Sequence, residues 1–347
     1  MLADQLDYLV GVDPHRDTHA LAIVDVRTAG VVFEASVEAS GIGYARALEL
    51  ARPRAGAAVI RERRSGFVRR RPQPLPERRG RAGARGRRLR RERRSAGKND
   101  ALDAIRAARS VLAESRAAEP RAGGEREALR ALMAAREGAV TARRAGLCQL
   151  RGLLVSAPEP LRAELRSLTR AQLLRRLAAV RPENRRDPEL RGTLLALRAL
   201  ARRVKTLTVE ERELAAEIET LARKLAPQLL DQPGVGPLTA AQLVISWSHQ
   251  GRIRSEAAFA RLAGCAPIPA SSGQTIRYRL DRGGDRRLNR ALHMILVTRR
   301  RSHPATIAYI ERRVQEGKSS REASRCLKRY LARNLYRLLE HGAPTTA

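Results

Sequence analysis

The chain has 347 residues, 43% of them apolar, which is enough for about two or three domains with their own cores and too many for global disorder. Its 69 Lys and Arg against 36 Asp and Glu give a formal charge of +33, which excludes ordinary surface decoration as the whole explanation and points to a polyanionic partner. No run of about 18 apolar residues, no signal-peptide core after Met1 and no lipidation motif is present, so the expectation is a soluble cytoplasmic protein with no membrane partner. Cys148, Cys265 and Cys326 are odd in number and far apart, which argues against a disulfide framework or a zinc pair and for packing roles.

From the N-terminus, YLVGVD and ALAIVDV read as apolar, β-branched strands separated by a polar turn, and VVFEASV as a third strand, together a β-meander. GIGYARALELARPR reads as a helix and GAAVI as a fourth strand. An Arg, Gly and Pro run without apolar periodicity follows. From Asn99 to about Ala118 the pattern is helical, with Leu102, Ile105, Ala108 and Leu112 at three- and four-residue steps. Between about Glu125 and Leu225 two long helices flank a short helical insert, interrupted at SAPEPLRAEL and VRPENRRDPELR, and can pair as an antiparallel or intermolecular coiled coil. After Pro227, LLDQPGVGPLTAAQLV has the shape of a helix-hairpin-helix, with Gly234 and Gly236 in the turn and a helix starting near Thr239. Such a turn brings backbone N–H groups close to a phosphate; a plain packing element has the same pattern. The expected domains are 1–118, 119–226 and 227–347.

Asp13 ends the first strand, where an open α/β sheet presents side chains to ligands. Asp100 and Asp103 lie three apart at the start of a helix and share nearly one face. Two readings of that pair stand side by side: a helix cap with a dipole-favoured acid, or oxygen ligands for a hard divalent cation. His15 and His19 flank Asp17 in PHRDTH and read as parts of a polar turn rather than as metal ligands. Trp247 reads as core rather than as a base-stacking platform, and Tyr278 as a minor phosphate contact. DRGGDRRLNRAL sets Asp281, Arg282, Asp285, Arg286 and Arg287 around a Gly-Gly turn leading into a helix. It is either a phosphate-contacting surface or a helix N-terminus with ion pairs.

GVDPHRDTHALAIVD, GKNDALDAIRAAR, LLDQPGVGPLTAAQLV and FARLAGCAPIPASSGQTIRYRLDRGGDRRLNRALH occur in this order and together resemble the IS-one-ten family of insertion-sequence transposases over nearly the whole chain. The resemblance implies an α/β RuvC-like (RNase H-fold) N-terminal domain with an Asp, Glu, Asp, Asp metal site. It also implies an α-helical coiled-coil middle and a mainly α-helical C-terminal domain with a nucleophilic serine. It further implies a bacterial, nucleoid-associated recombinase that uses Mg²⁺, acts on DNA through a 5′-phosphoserine, is guided by a bridge-type RNA and assembles as a dimer or tetramer. Asp13 then matches the first acid, Asp100 and Asp103 the last two, and Ser272 the nucleophile, with Ser271 as runner-up. Arg277, Arg279, Arg282, Arg286 and Arg287, with Gly234 and Gly236, are the implied nucleic-acid contacts.

The family's second acid opens a Glu-Gly-Thr-Gly or Glu-Ser-Thr-Gly turn directly after the fourth strand. Here that position is Arg61, and Glu62, the remaining candidate for the second acid, stands one place along. Codons for GRAGARGRRL, read one nucleotide later, can give GERVREVGG, and Arg61-Glu62 can conceal Glu-Ser in the same frame. The favoured reading is that roughly residues 61–90 are translated out of frame between two compensating indels; the competitor is a basic RNA-binding insertion. If Glu62 cannot reach the metal site, a catalytically decayed, nucleic-acid-binding remnant is the alternative function.

Overall fold

The computed structural model describes residues 7–51, 58–62, 100–112, 121–182, 187–271, 278–281 and 283–342, in two compact units, Met1–Arg121 and Ala122–Ala347. Most of residues 61–90 therefore lie outside the described residues, as do Ser272, Arg277 and Arg282.

The first unit holds a four-stranded sheet of β1 (Tyr8–Pro14), β2 (Thr18–Asp25), β3 (Val31–Glu38) and β4 (Ala58–Glu62), in the order β3-β2-β1-β4. The first three strands form the antiparallel meander expected from their apolar, β-branched runs, and β4 returns parallel to β1 after the helix α1 (Gly41–Ala51). Because strand side chains alternate between faces, each face gathers its own core. Leu9, Ala22 and Val24 pack on Ala104, Ile105 and Ala108 of α2 (Asp100–Leu112). Val10, Leu21, Ile23 and Val37 pack with Ala51 of α1. Helices on both sides of a mixed sheet make this unit α/β.

Gly11 fixes how α2 lies. A Cβ at Gly11 would stand 1.9 Å from the Ala104 carbonyl oxygen and 2.8 Å from the Ala108 nitrogen, so only a bare backbone admits the helix at this distance. With Gly11 under Ala104 and Ala108, the first turn of α2 comes over the end of β1, and Asp100 comes to Asp13.

In the second unit α3 (Gly124–Ser156) and α6 (Pro188–Leu225) lie antiparallel within one chain. Arg136 meets Glu211 at 2.6 Å, Gly146 faces Val204, and Lys224 reaches back to Glu125. Between them α4 (Glu159–Leu165) and α5 (Arg170–Ala179) bring Leu161, Leu165 and Leu177 onto Leu150, Leu194 and Leu197. The chain continues through α7 (Pro227–Leu230), α8 (Pro237–Trp247), α9 (Glu256–Leu262), β5 (Ile268–Pro269), β6 (Tyr278–Arg279), α10 (Arg286–Ser302), α11 (Pro304–Gln315) and α12 (Ser320–His341).

Every residue of α8 from Ala240 to Trp247 is buried, which explains a helix apolar on nearly all sides. It begins at Pro237, two residues before the expected start, because proline is pre-organised for the first helical position and Gly236 caps it. Trp247 is core, as expected, and its indole N–H donates to Glu340 at 2.6 Å. The packing expectation fails for Cys148, which is exposed on α3, whereas Cys265 packs against the core of the unit. Among the described residues no helix is long and apolar enough to cross a membrane.

Candidate functional site

At the carboxyl end of β1 three side chains from two elements converge. The donor atoms of Asp13, His15 and Asp100 all lie within 4.8 Å of one another. Asp13 is buried, at 3% exposure, whereas Asp100 is open to solvent at the start of α2. His15 Nε2 stands 3.4 Å from Asp13 Oδ2 and 3.2 Å from Asp100 Oδ1. That nitrogen is buried and makes no hydrogen bond. The turn that places it is closed by the His15 N–H donating to the Thr18 carbonyl at 2.9 Å.

Two carboxylates from different elements and a buried ring nitrogen without a hydrogen bond are a donor set that fits a divalent cation. Asp103 stands outside the group and accepts from Arg106 at 3.3 Å. Of the two acids that helix spacing puts on nearly one face, Asp100 is the one in this group. His15 is the residue that the sequence pattern places in a polar turn and the fold places in the cluster. The signal for it is its position two residues beyond Asp13, just where the chain leaves the strand.

His19 has a different task. Its Nδ1–H donates to the Thr18 carbonyl at 3.0 Å and its Nε2 accepts from the Tyr44 hydroxyl at 3.2 Å, with the two rings stacked. Burial holds its pKa below the ordinary histidine value, so the ring is a neutral tie between the sheet and α1.

Glu62 enters through the backbone register alone. Gly11 pairs with position 61 and Val12 with position 62. The row of the sheet that holds Gly11, and two residues on Asp13, thus passes through position 61, which is arginine; Glu62 falls in the row of Val12.

In the second unit β5 and β6 pair antiparallel, Ile268 with Arg279 and Pro269 with Tyr278. Ser271, just beyond β5, is exposed, as are Tyr278 and Arg279 of β6. The Gly283-Gly284 turn then presses on the end of α9. Gly284 has φ +88°, and a Cβ there would meet the Leu262 carbonyl oxygen at 2.5 Å.

Asp285 caps α10, accepting from the N–H groups of Arg287 at 2.9 Å and Leu288 at 3.1 Å. Its other oxygen accepts from buried Ser246 at 2.8 Å, which in turn accepts from Gln242 at 3.0 Å. Asn289 donates to the Ala263 carbonyl at 2.6 Å, and Arg287 and Arg290 reach Glu137 of α3 at 2.6 and 3.0 Å. Arg286 is exposed at the first position of α10.

Gly234 has φ +75°, and a Cβ there would stand 3.0 Å from the Ile295 carbonyl oxygen, so its bareness serves packing on α10. Gly236 is exposed, with open space where a Cβ would be. Burial pushes the Cys265 thiol up to about 11, which removes it as a nucleophile at neutral pH.

Residues 226–311 match the family described as Transposase IS116/IS110/IS902. An uncharacterized 43.6 kDa protein of insertion element IS110 from Streptomyces coelicolor is 33% identical over 155 residues, covering 44% of this chain and 38% of that protein. An uncharacterized 42 kDa protein of insertion element IS900 from Mycobacterium paratuberculosis is 31% identical over 168 residues, covering 46% of this chain and 42% of that protein. The matched regions thus span less than half the length of either relative.

Proposed function

We propose, from this chain's membership of the IS110 family of insertion-element transposases, that it is a DNA recombinase that cuts and rejoins strands for transposition. Its first unit is then the RuvC-like metal domain, its long helix pair the coiled-coil middle, and its second unit ends in the serine domain. The observation that carries the reading is the convergence of Asp13 and Asp100, from separate elements, at the carboxyl edge of the sheet.

In this reading Asp13 and Asp100 hold the divalent cation, Mg²⁺ by family resemblance, with Asp103 and Glu62 as the remaining acids of the family pattern. A cation bound there supplies charge neutralisation for the phosphate under attack. Ser272 supplies its Oγ: the hydroxyl gives up its proton as a P–Oγ bond forms, the bond from phosphorus to the 3′ oxygen breaks, and the departing 3′ oxygen takes up a proton. Attack by another 3′ hydroxyl on the phosphoserine reverses these steps and frees the serine. Arg277, Arg279, Arg282 and Arg286 offset charge on the phosphate and hold the strand. A bridge-type RNA selects the sites, and a dimer or tetramer in the bacterial cytoplasm, at the nucleoid, brings donor and target together.

A second reading, a decayed transposase that still binds nucleic acid, is favoured by the arginine at position 61, in the sheet row of Gly11. One experiment separates the two. Purified chain, Mg²⁺, flanking RNA and junction DNA are assayed for strand exchange beside a version whose 61–90 segment is restored to the alternative frame. Recombination by the present chain, with a DNA strand trapped on Ser272, supports the active enzyme; activity only in the restored version supports decay. The genomic nucleotide sequence gives an independent check, because stops in the alternative frame end the frameshift reading.

A further inference from the structure

The family pattern at this edge is made of carboxylates alone, and His15 has no part in it. We propose that His15 is the third protein ligand of the cation held by Asp13 and Asp100, and that its imidazole biases the site towards Mn²⁺ and later transition-metal dications over Mg²⁺. The proposal rests on the metal-site reading above and adds the ligand and the preference.

The distances carry it first. Two ligand atoms each about 2.1 Å from one ion stand roughly 3.0 Å apart at a right angle and about 3.4 Å apart at the tetrahedral angle. His15 Nε2 lies 3.2 Å from one carboxylate oxygen and 3.4 Å from the other, inside that window. The missing hydrogen bond carries it second. This buried nitrogen faces two carboxylates and makes a hydrogen bond with neither. A lone pair presented to a shared ion gives that nitrogen its partner.

The preference follows from donor chemistry. Mg²⁺ demands hard oxygen ligands and keeps its waters, so an imidazole adds little to its binding. Imidazole nitrogen suits transition-metal dications, whose affinity for mixed nitrogen and oxygen sites rises from Mn²⁺ through the series to copper.

The test uses the full chain with Mn²⁺ as probe, read by electron paramagnetic resonance for bound ion and by spin-echo modulation for a coordinated nitrogen nucleus. The variants are His15→Gln and Asp13→Asn, with circular dichroism as the folding check. The wild-type chain is expected to show nitrogen coupling; the chain has 6 histidines, so its loss in His15→Gln assigns it. Mn²⁺ affinity in that variant should fall roughly tenfold or more, while Mg²⁺ affinity, read by competition, changes less than about threefold. Mn²⁺ binding that Asp13→Asn abolishes, with no nitrogen coupling and no loss in His15→Gln, overturns the His15 assignment and leaves the acidic site standing. Wild-type binding no tighter than that of Asp13→Asn overturns both.

Discussion

Two polar clusters differ in how far their groups answer one another. At the carboxyl edge of β1, Asp13, His15 and Asp100 come together and the His15 Nε2 between them makes no hydrogen bond. At the start of α10, where the sequence is richer in charge, Asp285 caps the helix and holds Ser246, Asn289 holds the Ala263 carbonyl, and Arg287 and Arg290 share Glu137. The second cluster is bound into the fold, and the first leaves one buried ring nitrogen for a ligand. Density of charged residues in a motif is therefore a poorer guide to a site than polar groups left unsatisfied once the chain has folded.

The sharpest way to break this contrast is to remove one acid from each cluster. Asp13→Asn is expected to reduce strand exchange at least about a hundredfold, since metal-assisted charge stabilisation is worth several kcal/mol. Thermal unfolding of the first unit should not fall, because the change relieves repulsion between neighbouring carboxylates. Asp285→Ala is expected to do the opposite kind of damage. It removes a helix cap and leaves buried Ser246 short of a partner, costing about 2–3 kcal/mol in denaturant unfolding of the second unit. Asp285→Asn, which keeps a capping oxygen, should recover much of that. If Asp13→Asn instead unfolds the protein while activity per folded molecule persists, the two clusters have been assigned the wrong way round.

Short apolar, β-branched runs made β1 and β2 legible in the sequence, because both of their faces lie on cores, and helical periodicity made α1 and α2 legible, because each lays one face on the sheet. The antiparallel α3 and α6 pair was legible as helices but not in its partner, since apolar residues at three- and four-residue steps serve a neighbour in the same chain or in another equally well. Asp13 and Asp100 were legible as candidates by position. Their meeting was not, because it depends on Gly11 admitting the Ala104 turn of α2 to within 1.9 Å of where a Cβ would stand. His15 and His19 look alike in PHRDTH, and only the fold sends one to the acids and the other to Tyr44. In DRGGDRRLNR the fold makes Asp285 the cap of α10 and sets Arg287 against Glu137 of α3, a partner too distant in the chain for the motif to show.

The separation of the two histidines gives a smaller test. His19 has a depressed pKa in the folded unit, with burial as the main cause, Thr18 opposing through its carbonyl and the nearby His15 adding to the shift. The unfolded chain therefore takes up a proton near the ordinary value of about 6.5 while the folded unit does not. Stability due to this group is full above that pH and declines as pH falls towards the folded value. His19→Phe keeps an aromatic ring against Tyr44 and removes the proton, so its unfolding free energy should depend less steeply on pH below about 6.5 than that of the wild type. Equal slopes in the two proteins would show that His19 is not held neutral.

The finest distinction lies between two adjacent arginines. Arg286 is exposed at the first position of α10, while Arg287 stands 2.6 Å from Glu137. An arginine that neutralises a phosphate releases counterions, so its removal lowers the slope of log affinity against log salt by about one. Arg286→Ala should show that change in binding to junction DNA, with stability altered by less than about 0.5 kcal/mol. Arg287→Ala should change the slope less, because its charge is already answered by a carboxylate, and its main effect should be the small loss of an exposed ion pair. The reverse order would mean that the pair with Glu137 opens when nucleic acid binds, and that the α10 terminus is a site whose ligand displaces an internal partner.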